Sequence, residues 1–185
     1  MLATAAVILA LVSGASDIVG EPCPEWSNSK WVQGGPLRLA DLRGKVVLVR
    51  FFMESDCPYC RGTAPALNEF HQEFGPRGLV VIGMYTPKPR PRSTSVETVR
   101  RHVERYGFRF SVAVDDDWTT LRRLWLDRAR AAEFTSASLL IDRRGIVRHV
   151  HTGGLYAKDA TDPQGRRDYE EMRAAILQLL ADGER

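Results

Sequence analysis

The sequence predicts a three-layer α/β domain, in which a central mixed sheet lies between flanking helices. Two predominantly apolar runs, residues 45–52 and 79–85, have the β-branched composition of strands that are covered on both faces. A segment with helical spacing of apolar residues follows each of these strands, and a hairpin near the carboxyl terminus adds an antiparallel pair. The 185 residues, 44% of them hydrophobic, are enough for one domain with its own core.

The other elements are predicted from helical spacing, caps and turns. A helix is predicted over 60–74, where apolar residues recur every three or four positions, and Gly75 and Pro76 end it. Thr94 and Glu97 form a capping box for a second helix. The prediction continues in chain order with a strand over 110–114, a helix over 121–130, hairpin strands over 138–141 and 146–151, and a final helix over 167–181.

Charge and cysteine content exclude several classes of protein. The net charge of +3 is too weak for a protein that binds a phosphate backbone, so we expect no nucleic-acid partner. The apolar and charged fractions exclude intrinsic disorder. Three cysteines are too few for a disulfide framework or a four-thiolate zinc site, but two of them can form one pair.

The amino-terminal segment predicts export. Residues 2–12 are almost wholly apolar, and residues 13–15 have the small side chains of a signal-peptidase site. The run is shorter than the roughly 20 residues that span a bilayer, and a buried first helix or strand is the alternative. The predicted division is a signal peptide over 1–15, an irregular lead-in over 16–36 and a folded domain over 37–182. We expect a periplasmic or other extracytoplasmic location, with membrane contact only through an uncleaved amino terminus.

One cysteine pair, Cys57-Pro58-Tyr59-Cys60, lies where the first buried strand ends and the first long helix begins. Pro58 suits the first helical position, where its missing N–H group costs nothing, and it keeps Cys57 extended. Cys57 is then expected at the helix N-terminus, where unpaired amide groups and the helix dipole stabilise a thiolate. Cys60 lies one turn later and is expected to be more buried. This context favours thiol–disulfide chemistry over half of a zinc site or an inert structural disulfide.

Three motifs give the chain its resemblance to a known family: LADLRGKVVLV at 39–49, CPYC at 57–60 and LLIDRRG at 139–145. With these motifs, the chain from about Trp31 to Leu180 resembles the TlpA/ResA-like branch of the thioredoxin-fold proteins. That branch consists of exported thiol–disulfide oxidoreductases, which are often grouped with the redoxins. The resemblance implies a thioredoxin-like fold in which the helix over 121–130 is the insert of this branch.

The resemblance also implies the chemistry. It makes Cys57 the nucleophile and Cys60 the resolving thiol of a redox-active disulfide that needs no cofactor and no metal. The implied partners are protein thiols and disulfides, together with a second redox protein that recycles the pair. The protein is expected to act as a monomer.

The predicted substrate groove consists of Pro58, Tyr59, Thr135 and Ser136. Thioredoxin-like proteins usually have a cis-proline where this sequence has Ser136. We expect a trans peptide bond between Thr135 and Ser136, because a cis bond without proline costs roughly 3 kcal/mol. The serine hydroxyl could donate a hydrogen bond to a sulfur or form a hydrogen bond within its own loop.

Two further departures from the family lie beside the cysteine pair. Asp56 precedes the first cysteine, where the family usually has tryptophan, and its carboxylate opposes a nearby thiolate. Arg50 lies in the strand where the family tends to have an asparagine or an acid beneath the sulfurs. Glu54 is the candidate substitute as proton acceptor. The alternative is that Glu54 is a solvated loop residue.

Two other functions fit parts of the sequence. A thiol peroxidase of the redoxin group would need a threonine and an arginine near its cysteine, and Ser55 and Arg61 match that requirement only loosely. A non-enzymatic copper carrier would add a histidine, His149 or His151, to the cysteine pair. Because these histidines alternate with apolar residues, they are more simply interpreted as exposed strand positions.

Two features have no part in these hypotheses. Cys23, in the lead-in, is expected to be a free thiol, and a mixed disulfide with a partner is the alternative. The proline-rich loop over 86–92 contains Lys88, Arg90 and Arg92. These charges could attract acidic partners or anionic lipid, although a solvated loop is the simpler interpretation.

Overall fold

The computed structural model of the chain describes residues 16–129 and 134–182. The predicted signal peptide over 1–15 and the last residue of the predicted insert, residue 130, lie outside the described residues. The elements are β1 (Lys30–Gln33), β2 (Val46–Phe52), α1 (Pro58–Phe74), β3 (Leu79–Tyr85), α2 (Val96–Tyr106), β4 (Ser111–Val114), α3 (Thr119–Leu121), β5 (Ala137–Ile141), β6 (Val147–Thr152) and α4 (Pro163–Ala181). Among the described residues, no helix has the length and apolar character needed to span a bilayer.

The six strands of the described residues form one mixed sheet in the order β1-β4-β3-β2-β5-β6. Strands β2, β3 and β4 are parallel, whereas β1, β5 and β6 pair antiparallel with their neighbours. Strand β2 lies between β3 and β5, and all seven of its residues are buried. The loop that carries the cysteine pair follows the carboxyl end of this central strand.

Hydrophobic side chains cover both faces of the sheet. On one face, residues of α1, α2 and α4 pack with Leu48 and Phe52 of β2. On the other face, α3 and the segment before β1 pack with Val47, Val49 and Phe51. This alternation follows from the two-residue period of a strand, and it produces the three predicted layers. The predicted fold class is confirmed.

The segment over 16–36 is not irregular throughout, which corrects the prediction from the sequence. Strand β1 lies within it and pairs antiparallel with the edge strand β4. Trp26 is buried and donates a hydrogen bond from Nε1 to the carbonyl of Leu37, over 2.7 Å. Only Val32 of the four strand residues is buried, so the strand is too short to show an alternating pattern in the sequence. The lead-in therefore contributes an edge strand and part of the core.

Cys23 is buried in that same part of the core, with 6% of its surface exposed, and forms no disulfide with Cys57 or Cys60. Burial raises the pKa of the Cys23 thiol to about 12, and the positive charge of Arg128 opposes that shift. A buried thiol with such a high pKa is a poor nucleophile at neutral pH. The packing therefore argues against a mixed disulfide with a partner.

Two predicted helix starts are wrong because the capping residue differs from the one expected. Ser95, not Thr94, caps α2 with its side chain, while the N–H of Thr94 donates to the carboxylate of Asp116 over 2.8 Å. Helix α4 begins four residues before the predicted start, because the side chain of Asp162 caps it and Pro163 suits its first turn.

The predicted insert begins after the three consecutive aspartates, as expected. The buried carboxylate of Asp115 accepts hydrogen bonds from the N–H groups of Thr120 and Leu121, each over 2.8 Å. Helix α3 continues directly into a π-helical turn, Arg122–Leu126. Trp125 in that turn is fully buried. The insert therefore covers the face of the sheet opposite α1.

Candidate active site

Cys57 is the N-cap of α1, as the sequence predicts. Its backbone is extended, with φ −67° and ψ 113°, and its Sγ accepts a hydrogen bond from the N–H of Cys60 over 3.2 Å. Pro58 occupies the first helical position, and the N–H of Cys57 donates to the carbonyl of Glu54 over 3.1 Å. The amide donor and the helix dipole both favour negative charge on Cys57 Sγ.

The two sulfurs of the pair differ in accessibility. Both are free thiols, and Cys57 is 8% exposed whereas Cys60 is 1% exposed. Burial raises the pKa of the Cys60 thiol to about 11, and the positive charge of Arg50 opposes that shift. Cys57 is therefore the sulfur of the pair that a second protein can approach more easily, and Cys60 is the more buried one, as expected.

A buried cation lies on the same core face as the cysteine pair. Arg50 is 1% exposed and lies between Leu48 and Phe52 of β2, which line the same core as both cysteines. Its Nη1 donates to Ser138 Oγ over 3.2 Å, and its Nη2 donates to the carbonyl of Gly154 over 3.4 Å. Its Nε has no hydrogen-bond partner among the described residues.

Within the part of the chain that the structure describes, Arg50 contacts neutral groups and forms no ion pair with a carboxylate. Its guanidinium carbon lies 5.6 Å from the ring centroid of Tyr156, whose hydroxyl is 3.0 Å from Ser138 Oγ. An aromatic face and neutral oxygens stabilise a cation without cancelling its charge. The charge beside the dithiol is therefore positive, where the resemblance would place an asparagine or an acid.

Glu54 is not a solvated loop residue, so that alternative is wrong. Its Oε1 accepts a hydrogen bond from the hydroxyl of Tyr85 over 3.1 Å and forms an ion pair with Arg92. Its Oε2 is buried and has no partner among the described residues. Its carbonyl accepts hydrogen bonds from Tyr106 and from the N–H of Cys57. Glu54 thus joins the cysteine loop to β3, α2 and the proline-rich loop, and its role as proton acceptor stays a prediction.

Two side chains of α2 that hold the cysteine loop were missed on the sequence. The hydroxyl of Tyr106 donates to the carbonyls of Met53 and Glu54. His102 Nδ1 accepts a hydrogen bond from the N–H of Ser55 over 3.1 Å. These contacts join residues 47 to 53 positions apart, so no local signal in the sequence could reveal them.

The four predicted groove residues belong to the two segments that adjoin the carboxyl end of β2. Pro58 and Tyr59 are exposed at the start of α1, and Tyr59 is 55% exposed. Thr135 and Ser136 are half-buried and precede β5, which runs antiparallel to β2. Their peptide bond is trans, as predicted, and the carbonyl of Ser136 accepts a hydrogen bond from Gly153 over 2.7 Å. The role of these residues in binding a substrate stays a prediction.

The two residues that loosely matched a peroxidase line one surface depression. Ser55 and Arg61 share it with His102 and Arg105 of α2. The hydroxyl of Ser55 is 3.0 Å from His102 Nδ1 and accepts a hydrogen bond from Arg105 over 3.3 Å. Because the hydroxyl is used to hold α2, the match to a peroxidase becomes weaker.

His149 and His151 are not exposed strand residues, which corrects the prediction. Both are half-buried, and His151 Nε2 lies 3.0 Å from the carboxylate of Asp168 on α4. The alternation of a strand could not reveal that α4 packs beside β6. Among the residues described, no three His, Cys, Asp or Glu side chains are grouped so that they could hold a metal ion. The structure therefore does not bring either histidine to the cysteine pair as a third ligand.

These histidines predict a loss of stability in mild acid. Burial holds the pKa of His151 below its ordinary value of 6.5, and the charge of Arg50 lowers it further against the opposing effect of Asp168. Burial likewise lowers the pKa of His149. The unfolded chain then binds protons more readily than the folded chain below about pH 6.5. The free energy of unfolding should therefore be constant well above pH 6.5 and fall as the pH is lowered from about 6.5 through the depressed values.

Urea unfolding between about pH 7.5 and about pH 5 measures this dependence. The control is His151→Gln, because the glutamine amide can still donate to Asp168 and does not titrate. The variant should have a smaller decrease in stability than the parent. Equal slopes in the two proteins would contradict the assignment to His151.

The comparison with known proteins identifies the family. Residues 19–150, most of the chain, match the AhpC/TSA family. The chain belongs to the AhpC/TSA family. The resemblance to TlpA/ResA-like proteins of thioredoxin fold is confirmed, and with it membership of a redoxin and thiol–disulfide oxidoreductase family.

Two curated relatives and one solved structure illustrate this similarity. The protein DipZ of Mycobacterium tuberculosis is 30% identical over 151 residues, which are 80% of this chain and 18% of DipZ. The thiol-disulfide oxidoreductase ResA of Halalkalibacterium halodurans is 27% identical over 124 residues, 67% of this chain and 63% of ResA. The chain thus spans less than two thirds of either relative. The structure of a thiol-disulfide isomerase from Corynebacterium glutamicum has a TM-score of 0.65 at 25% identity, covering 86% of this chain and 96% of that protein.

Proposed function

We propose that this protein is a thiol–disulfide oxidoreductase that exchanges the Cys57–Cys60 dithiol with disulfides of protein partners. The observation that carries the proposal is the position of Cys57 as the N-cap of α1, with its Sγ bonded to an amide. The less exposed Cys60, one turn further along, is in place to resolve the intermediate. The names of ResA and of the isomerase, which denote thiol–disulfide chemistry, support this proposal.

The first step forms a mixed disulfide. The thiolate of Cys57, stabilised by the N–H of Cys60 and by the helix dipole, attacks one sulfur of the partner disulfide. A bond forms between Cys57 Sγ and that sulfur while the partner disulfide breaks. The other partner sulfur leaves as a thiolate and takes up a proton from water.

The second step resolves that intermediate. Cys60 loses its proton and its thiolate attacks Cys57 Sγ, which releases the remaining partner sulfur as a thiolate. Two electrons have then passed to the partner, and Cys57 and Cys60 are joined by a disulfide. Because burial raises the pKa of Cys60, this step needs help, which we assign to the charge of Arg50. We propose Glu54, whose buried Oε2 has no partner among the described residues, as the proton acceptor.

Both steps are reversible, so the same residues can oxidise a partner dithiol. The reduction potential of the pair relative to its partner decides the direction, and a second redox protein returns the pair to its starting state. We propose that Pro58, Tyr59, Thr135 and Ser136 form the groove for the partner and that the protein acts as an exported monomer. The apolar run over 2–12 supports export, which mass spectrometry of the secreted protein would test.

An insulin reduction assay with dithiothreitol as the recycling reductant tests this function. The wild-type protein should accelerate insulin reduction and should not accelerate consumption of hydrogen peroxide. Peroxide turnover without insulin reduction would favour the peroxidase and overturn the proposal. A copper carrier would be favoured instead if the wild-type protein binds Cu(I) stoichiometrically, does not reduce insulin, and loses copper binding when His149 or His151 is substituted.

A further inference from the structure

The basic, proline-rich loop over 86–92 is attached directly to the cysteine site. At its start, Thr86 donates to the carbonyl of Phe52, the last residue of β2, from its N–H over 2.8 Å and from its hydroxyl over 3.2 Å. At its end, Arg92 pairs with Glu54, whose carbonyl accepts the N–H of Cys57. The loop is therefore held beside the strand end and the loop from which α1 begins.

The middle of the loop is also held in place. Trp118 donates a hydrogen bond from its indole to the carbonyl of Pro87 over 2.9 Å, and Lys88 Nζ lies 5.4 Å from the Trp118 ring centroid. Burial lowers the pKa of Lys88, and the thiolate forms of Cys60 and Cys57 oppose that shift. The loop is thus held at its middle as well as at both ends.

The surface beside the cysteine loop carries more positive than negative charge. Arg61 and Arg105 line a depression with the carboxylates Glu54 and Asp56. The proline-rich loop adds Lys88, Arg90 and Arg92, and Arg92 lines a second depression with Lys30, Asp116 and Asp117. Glu54 is already paired with Arg92, and Asp116 on the far side of the loop is paired with Lys30. Arg90 is exposed and forms no ion pair among the described residues. Its charge is therefore available to a partner.

We propose that the loop over 86–92 docks an acidic polypeptide segment that adjoins the reacting cysteines of the partner. This inference rests on the proposed function and names the class of partner that the site prefers. Prolines alternate with Lys88, Arg90 and Arg92, and their fixed φ limits the conformational entropy that docking removes. Complementary charge accelerates encounter and orients the partner disulfide toward Cys57. A polypeptide is favoured over a lipid surface because the loop is attached to Phe52 and Glu54, beside the cysteines that react with protein thiols.

Two synthetic peptides that differ only in charge test the proposal. Each contains one intramolecular disulfide, flanked by Asp and Glu in the first peptide and by Lys in the second. The rate constant for oxidation of the reduced protein by each peptide is measured at about 20 mM and at about 500 mM salt. Charge interactions extend over a long distance at the lower salt concentration and are strongly screened at the higher one. The wild-type protein should react about tenfold faster with the acidic peptide at low salt, and the difference should shrink at high salt.

Arg90→Glu is the test variant and Arg144→Glu is its matched control. Both change one exposed arginine to glutamate, but Arg144 lies in the turn after β5, beside the start of β2 and at the opposite end of the sheet from the cysteine loop. The seven residues of β2 separate the two ends by about 20 Å. Arg90→Glu should remove or reverse the preference for the acidic peptide, and Arg144→Glu should retain it.

The outcomes separate this inference from the proposed function. If the wild-type protein reacts with neither peptide, the proposed function fails and the inference fails with it. If it reacts equally with both, and Arg90→Glu changes nothing, only the inference fails. Binding to vesicles of phosphatidylglycerol and phosphatidylcholine is the third measurement. The loop would be assigned to a membrane surface if the wild-type protein binds the vesicles, Arg90→Glu does not, and the rates with the two peptides are equal. That result would overturn the proposal.

Discussion

A Cys57→Ser variant should lose disulfide reduction by at least about a thousandfold, because a serine hydroxyl is not ionised at neutral pH and cannot replace the attacking thiolate. The backbone at this position should be unaffected, since serine is a favoured N-cap residue and its oxygen can accept the N–H of Cys60. The loss would therefore report on chemistry and not on folding. Insulin reduction, with circular dichroism to verify the fold, measures it.

The companion variant Cys60→Ser should behave differently. Cys57 can still attack a partner disulfide, but no second thiolate is present to release it, so a mixed disulfide should accumulate. Non-reducing mass spectrometry of the variant with the disulfide peptides detects this product. Cys23→Ala is the control, because Cys23 is buried among core residues separate from those that pack with the pair. Full activity in Cys57→Ser, or a comparable loss in Cys23→Ala, would contradict the assignment.

An Arg50→Met variant should slow resolution of the mixed disulfide about tenfold. Burial already raises the pKa of Cys60 to about 11, and Arg50 is the cation that opposes the shift. Without it the pKa of Cys60 should rise further, and each additional pKa unit lowers the thiolate fraction tenfold. The formation of the mixed disulfide by Cys57 should be affected less than its resolution.

The test separates an electrostatic role from a structural one. Methionine retains much of the apolar volume of arginine and removes a buried charge that has no carboxylate partner among the described residues, so the stability of the fold should not decrease. Arg50→Lys retains the charge and should resolve at an intermediate rate. The pH profile of resolution should move to higher pH in Arg50→Met. An unchanged rate and pH profile would mean that Arg50 serves only to fill space.

The elements that the sequence predicts best are those with the strongest local signals. Strands β2 and β3 are found within one residue of their predicted bounds, because a strand covered on both faces requires a predominantly apolar run, which in β2 is interrupted by Arg50. The position of Cys57 follows from Pro58, whose ring restricts the residue before it and suits the first turn of a helix. In contrast, β1 has four residues and one buried side chain, which is too little pattern to recognise.

Burial of polar groups could not be predicted in the same way. His149 and His151 alternate like exposed residues, yet α4 packs beside them. Glu54 has the sequence context of a solvated loop residue, yet its carboxylate binds Tyr85 and Arg92. Each of these partners is distant in sequence. The start of α4 is a different case, since Asp162 and Pro163 form a local capping signal from which it could have been predicted.

The sequence by itself determined the layered α/β fold, the position of Cys57 at a helix N-terminus and the depth of Cys60 one turn later. These follow from side-chain periodicity and backbone restrictions, which act over a few residues. Only the tertiary structure decided which charges surround the pair. In the part of the chain that the structure describes, Arg50 bonds to neutral groups and has no carboxylate partner, whereas Arg92 is paired with Glu54. These contacts join segments about 40 to 100 residues apart. The physical reason is that electrostatic interactions depend on distance in space, and the chain sets that distance only when it folds.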